Sequence, residues 1–201
     1  MNLLLFTAAD RLDDRHIRVT DRRLRHLQQV LGATAGDELR VGELAGLTGT
    51  GRIVDIGNQQ ATLSVDLNEA PPAKLPLCLV VALPRPKMLR RIIRSVAELG
   101  VAQLHLIHSY RVEKSYWQTP ALQGDAVHDY LLQGLEQARD TVLPTVSCHR
   151  RFKPFVEDTL PALARGRQAL LAHPRYHPPC PRRQQQDTLL DVGQEGGSNP
   201  Y

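Results

Sequence analysis

The sequence predicts an α/β protein in which a small β-barrel precedes a parallel sheet. Three observations carry that reading. Residues 77–83 read LCLVVAL, the continuous apolar run expected of a strand buried on both faces of a parallel sheet. Directly after it, Met88, Leu89, Ile92, Ile93, Val96 and Leu99 recur at helical spacing, so strand and helix alternate. Ahead of it, residues 68–76 (NEAPPAKLP) hold three prolines and end a half of the chain made of short, glycine-punctuated, alternating segments. The division falls there, with residues 1–70 as the barrel and residues 74–201 as the α/β domain.

In the first half, Asp21 is placed to cap a short helix carrying Leu24, Leu27, Val30 and Leu31, and Gly32 is placed to end it with positive φ. Strands are expected over residues 38–41, 51–56 and 61–67. The last alternates Leu63, Val65 and Leu67 on one face, as a half-buried strand does. Short strands, glycine turns and a single helix make a small barrel. In the second half, Gly100 ends the helix over residues 87–99, and residues 103–107 form the next strand. Helices are expected over residues 121–140 and 155–164, and strands over residues 169–172 and 188–192. The Pro, Arg and Gln-rich residues 173–186 read as an exposed loop.

Composition narrows the function classes. The chain has 201 residues and is 42% apolar, enough to bury a core. No uninterrupted apolar run reaches membrane-spanning length and no basic leader precedes Leu3 to Phe6, so a cytoplasmic protein is expected. Cys78, Cys148 and Cys180 are far apart and odd in number, which fits reduced thiols.

With a net charge of only +4, the placement of charge matters more than its sum. Arg22, Arg23, Arg25 and His26 form one basic cluster. Arg85, Lys87, Arg90, Arg91 and Arg94 form another; the spacing of three or four residues puts Lys87, Arg90, Arg91 and Arg94 on one helix face, opposite the apolar stripe. Either face alone serves solubility equally well, but two clusters on separate domains suit an extended RNA footprint. A second feature is the turn Gly193, Gln194, Glu195, Gly196, Gly197, directly after the last expected strand. Paired glycines at the carboxyl end of a parallel strand let backbone amides approach a ligand. Other constellations are thinner. His173, His177 and Cys180 supply only three zinc ligands. Tyr116 and Trp117 suit either base stacking or packing. Cys148 and His149, adjacent in a strand, point to opposite faces and make a poor nucleophilic pair.

The segments RHLQQVLGATAGDELRV, LVVALPRPKMLRRIIRSVAELGV, HSYRVEKSYWQ, LEQARDTVLP and VGQEGGSNPY, in this order over most of the chain, resemble the RsmE family of SPOUT methyltransferases. The resemblance implies a knotted α/β domain that binds S-adenosylmethionine, preceded by a PUA-like barrel that grips RNA. It also implies methylation of uridine N3 in 16S ribosomal RNA of the small subunit, by a homodimer. On it, Gly193, Gln194, Glu195, Gly196 and Gly197 match the family's GPEGG cofactor loop, and Leu171, Ala172 and His173 match the neighbouring strand end. Glu98, Leu99 and Gly100 match its ELG. Glu136, Gln137 and Arg139 match its EQ-R segment, and Arg111 matches an arginine of the substrate-side loop. Arg111 and then Arg85 are the candidates to stabilise the electron-rich base during transfer.

The chain also departs from the family pattern. Gln194 stands in the place of a proline, and Ser198 and Asn199 in the place of larger apolar residues. Relatives continue past the position of Tyr201 through a leucine-glycine and an arginine-glutamate-threonine motif that threads the knot and completes the cofactor pocket. The expectation is therefore an incomplete knot. A truncated, non-catalytic RNA-binding remnant is the alternative to the enzyme.

Overall fold

The computed structural model describes residues 2–172. The first part is a curled half-barrel of five strands: β1 (Leu4–Phe6), β2 (His16–Val19), β3 (Glu38–Glu43), β4 (Thr48–Ile56) and β5 (Ala61–Glu69), in the order β1-β3-β4-β5-β2. Only β1 and β3 run parallel. The helix α1 (Asp21–Gln29) closes its inner face. Alternation decides what lies inside: Ile17 and Val19, Ile53, Ala61 and Leu63 are fully buried together with Leu24 and Leu27 of α1. Each large side chain so buried is worth roughly 1.5–3 kcal/mol. On β4 the backbone runs so close to β5 that a Cβ on Gly49 would collide with the carbonyl of Asp66.

The sequence anticipated β3, β4 and β5, each shorter than it is, and missed β1 and β2, which are too short to show a period. Asp21, expected as the cap, is instead the first residue of α1 after the N-cap Thr20, which makes no side-chain capping bond; at φ 58° the Asp21 carboxylate accepts from the Arg23 N–H at 2.8 Å. The helix stops earlier than its apolar spacing implied. Val30 and Leu31 both donate to the His26 carbonyl and Ala33 to that of Leu27, a widened end that turns at Gly32. Val30 and Leu31 therefore point outward, 67% and 52% exposed.

The second part is a parallel sheet in the order β6-β7-β8, made of β6 (Leu75–Ala82), β7 (Val101–Ile107) and β8 (Thr145–His149). Helix α2 (Pro86–Glu98) links β6 to β7, and α3 (Gly124–Ala138) packs along α2. Gly134 permits the close approach of the two helices, since a Cβ there would meet Ala97 and the Arg94 carbonyl. Gly100, at φ 68°, ends α2 as predicted. Leu89, Ile93 and Val96 of α2, Leu104 and Leu106 of β7, and Leu131 and Leu135 of α3 form the core.

Three expectations need correction here. β6 is not buried on both faces: only β7 flanks it among the described residues, and Leu75, Leu77 and Val80 remain exposed. Residues 169–172 form no strand and have no ladder partner among the described residues; Leu170 and Leu171 are 77% and 81% exposed. The helix over residues 155–164 is irregular, running as Phe152–Pro154, a wide π turn at Phe155–Thr159, and Leu160–Ala164. Pro161 cannot donate to the preceding turn, which accounts for the break in the regular ladder. The expected strand at 188–192 lies outside the described residues.

The two parts meet through a polar seam on an apolar base. Leu3 and Leu5, flanking Leu4 around β1, turn away from the half-barrel into the core of the second part. Above them Lys74 pairs with buried Asp140 at 2.6 Å, the Thr141 hydroxyl donates to the Gly46 carbonyl at 2.6 Å, and Asn2 N–H donates to the Glu136 carbonyl at 3.1 Å.

Candidate RNA and cofactor site

Helix α2 presents the basic face that its spacing predicted. Pro86 opens it, where a missing N–H costs nothing, and its apolar stripe is buried, so Lys87, Arg90 and Arg91 stand exposed on the other side. Arg90 lies over the ring of Tyr130 from α3, 5.3 Å from its centre, which orients the guanidinium without neutralising it. Arg94 faces Glu98 one turn on at 3.7 Å, too long for a hydrogen bond, and its buried Nε has no partner among the described residues. A shallow concavity of about 300 Å³ runs along this face.

The other basic cluster divides. Arg23 departs from the expected RNA contact: it is 11% exposed and spends its guanidinium inside the half-barrel on Asp10, Asp21 and the Leu5 carbonyl. Those carboxylates hold it charged at any ordinary pH. Arg25 is exposed. Arg22 reaches across the seam to Glu136 of α3 in a two-pronged pair at 2.8 and 3.0 Å, with Glu136 only 5% exposed. Beside it His26 is half-buried, its Nε2 without a partner among the described residues. Burial holds this imidazole below its ordinary 6.5, while Glu136 pulls the other way. Arg22, His26, Arg94, Gln133, Glu136 and Gln137 line a second concavity of about 310 Å³. The two clusters, far apart in sequence, thus meet at Arg94. The sequence flagged Glu136 and Gln137 only through the resemblance, and Gln133 not at all, because an amide on a helix carries no signal until its neighbours are known.

The carboxyl ends of the three parallel strands form a separate edge, where open α/β sheets hold their ligands. Arg85 follows β6 and caps α2, its carbonyl accepting from Met88 and Leu89. The Leu83 N–H donates to the Ile107 carbonyl at 2.9 Å, holding the end of β6 against that of β7, after which exposed Arg111 follows. Trp117 is buried and donates from Nε1 to Nδ1 of His108 at 3.0 Å, with the Arg150 guanidinium over its ring, so it packs and does not offer a face for stacking. Tyr116 is half-buried against Glu113. The sequence missed a histidine pair here: Nδ1 of buried His105 on β7 lies 3.0 Å from Nε2 of His149 on β8, under Phe155. Burial, then the neighbouring His149, lowers the His105 pKa. Only strand register reveals this pair. His149 is thereby committed away from Cys148, whose thiol burial makes less acidic.

Of the residues expected to hold the cofactor, Leu171 and Ala172 are exposed. His173, Gly193, Gln194, Glu195, Gly196 and Gly197 lie outside the described residues, as do His177 and Cys180. Among the described residues no group of three or more metal-ligating side chains comes together, and no helix is long and apolar enough to cross a membrane.

Comparison with known proteins agrees with this architecture. Residues 71–200 match the family model described as an RNA methyltransferase domain. The ribosomal RNA small subunit methyltransferase E of Treponema pallidum is 34% identical over 137 residues, 67% of this chain; the chain spans 51% of that relative's length. Among solved structures, one described as a probable rRNA methyltransferase of Porphyromonas gingivalis superposes with a TM-score of 0.60 at 18% identity, covering 78% of this chain and 64% of that one. The ribosomal RNA small subunit methyltransferase E of Neisseria gonorrhoeae, bound to S-adenosylmethionine, gives 0.52 at 16% identity, covering 73% and 62%. The parallel β/α part matches SPOUT methyltransferase structures. With its half-barrel and parallel sheet on this plan and residues 71–200 matching the family model, the chain belongs to the RNA methyltransferase family of the RsmE type.

Proposed function

We propose that this chain methylates N3 of a uridine in 16S ribosomal RNA of the small subunit, using S-adenosylmethionine. The observation that carries the reading is the basic face of α2, Lys87, Arg90 and Arg91, which at Arg94 adjoins a concavity walled by both parts of the chain. Backbone phosphates held on α2 would run toward the seam with the half-barrel. We place the boundary between the two domains at residues 70–74, between β5 and β6. A homodimer acting in the cytoplasm belongs to the same reading.

The cofactor, when bound, supplies an electrophilic methyl group. Leu171 and Ala172 offer apolar contact to its adenine, and backbone groups of the Gly193 to Gly197 loop would hold its polar parts. The chain's own chemical task is positioning the base and stabilising its anion. Uridine N3 sheds a proton before or as it attacks, and the charge spreads onto O2 and O4. Arg111 and Arg85, at the ends of adjacent strands, are the cations assigned to those oxygens. Titration calorimetry with S-adenosylmethionine, joined to a transfer assay, tests this: the chain binds the cofactor, and Arg111→Ala keeps binding while losing transfer. RNA binding with no cofactor binding would favour a non-catalytic RNA-binding protein instead.

A further inference from the structure

We infer that the concavity between α1, α2 and α3 seats one nucleotide of the bound RNA, and that Gln133 and Gln137 are the residues that read it; this rests on the RNA-binding role proposed above. Four observations support the seat. Its walls come from both parts of the chain, so a nucleotide there touches the half-barrel and the methyltransferase domain together. Its volume, about 310 Å³, suits a base or ribose.

Its charge is arranged for a phosphate at one side only. Glu136 is neutralised by the two-pronged contact from Arg22, while Arg94, lacking any hydrogen bond among the described residues, forms the wall shared with the Lys87, Arg90 and Arg91 face. Glu98, the other acid on that rim, stands 3.7 Å from Arg94, and Lys87, Arg90 and Arg91 have no ion-pair partner among the described residues. A strand following the α2 face thus arrives at Arg94 with its next base directed toward α3. There Gln133 and Gln137, four residues apart on one helix face, present amides that make no side-chain hydrogen bond among the described residues. An amide offers both a donor and an acceptor, matching the edge of an unpaired base.

The test compares three proteins on a small-subunit RNA fragment across a salt series, with nucleotide-resolution footprinting. Arg90→Ala/Arg91→Ala should weaken binding and lower the salt slope by about 1.4, two phosphate contacts' worth. Gln133→Ala/Gln137→Ala should weaken binding about tenfold with the slope unchanged, and should expose a single nucleotide in the footprint. An unchanged urea midpoint separates this from loss of fold. If the glutamine variant binds and protects like the parent while the arginine variant is weakened, the seat is wrong and RNA binding stands. If the parent binds no RNA, both fail.

Discussion

Cutting the Arg22 to Glu136 contact from either end should give unequal losses, because the two partners differ in access to water. Arg22→Ala leaves a carboxylate that is 5% exposed without the hydrogen bonds at 2.8 and 3.0 Å. Stranding a buried charge in this way costs roughly 3–5 kcal/mol. Glu136→Gln keeps the shape and one acceptor, and the surviving guanidinium, 44% exposed, can turn to water. Solvent screening at a half-exposed partner brings that cost down to roughly 1 kcal/mol. Urea unfolding at neutral pH, with the denaturant slope checked for constancy, should rank Arg22→Ala as the more damaging by at least about 1 kcal/mol. Equal losses, or a larger one for Glu136→Gln, would refute the claim that the seam is held by a buried carboxylate.

Other consequences can be checked alongside. Gly49→Ala should destabilise the half-barrel by roughly 1–3 kcal/mol, because the carbonyl of Asp66 is backbone and cannot swing aside; a thermal midpoint unchanged from the parent would contradict it. Gly124→Ala, where nothing lies within 4 Å, is its control and should be neutral or stabilising. His105 is held neutral by burial and by His149, so its folded pKa lies below the ordinary 6.5. The unfolded chain then binds more protons as pH falls below that value, and stability should drop with acidification through this window. His105→Gln should flatten the drop; an identical pH profile would remove His105 as its source. Limited proteolysis should cut first within residues 70–74, where Pro72 and Ala73 are exposed between β5 and β6.

Elements with a long period were legible from sequence. Helix α2 declared itself through its apolar stripe and the glycine that ends it, and its basic face followed from the same spacing. The strands β1 and β2 were not legible, since three or four residues carry no period to read. β6 looked like a strand with two buried faces because an apolar run reports composition, and its neighbours are set by topology. Arg23 looked like half of a phosphate contact because charge spacing cannot reveal that Asp10 and Asp21 fold onto it. The Arg22 to Glu136 contact and the His105 to His149 pair join residues far apart in sequence, and only tertiary structure brings them together.

The activity proposed for this chain is methyl transfer to N3 of a uridine in small-subunit RNA. The chain, incubated with S-adenosylmethionine labelled in its methyl group and unmethylated small-subunit RNA, should place the label in 3-methyluridine when the RNA is digested to nucleosides. Label in any other nucleoside, or none in the RNA under conditions where the chain binds both cofactor and RNA, would contradict it.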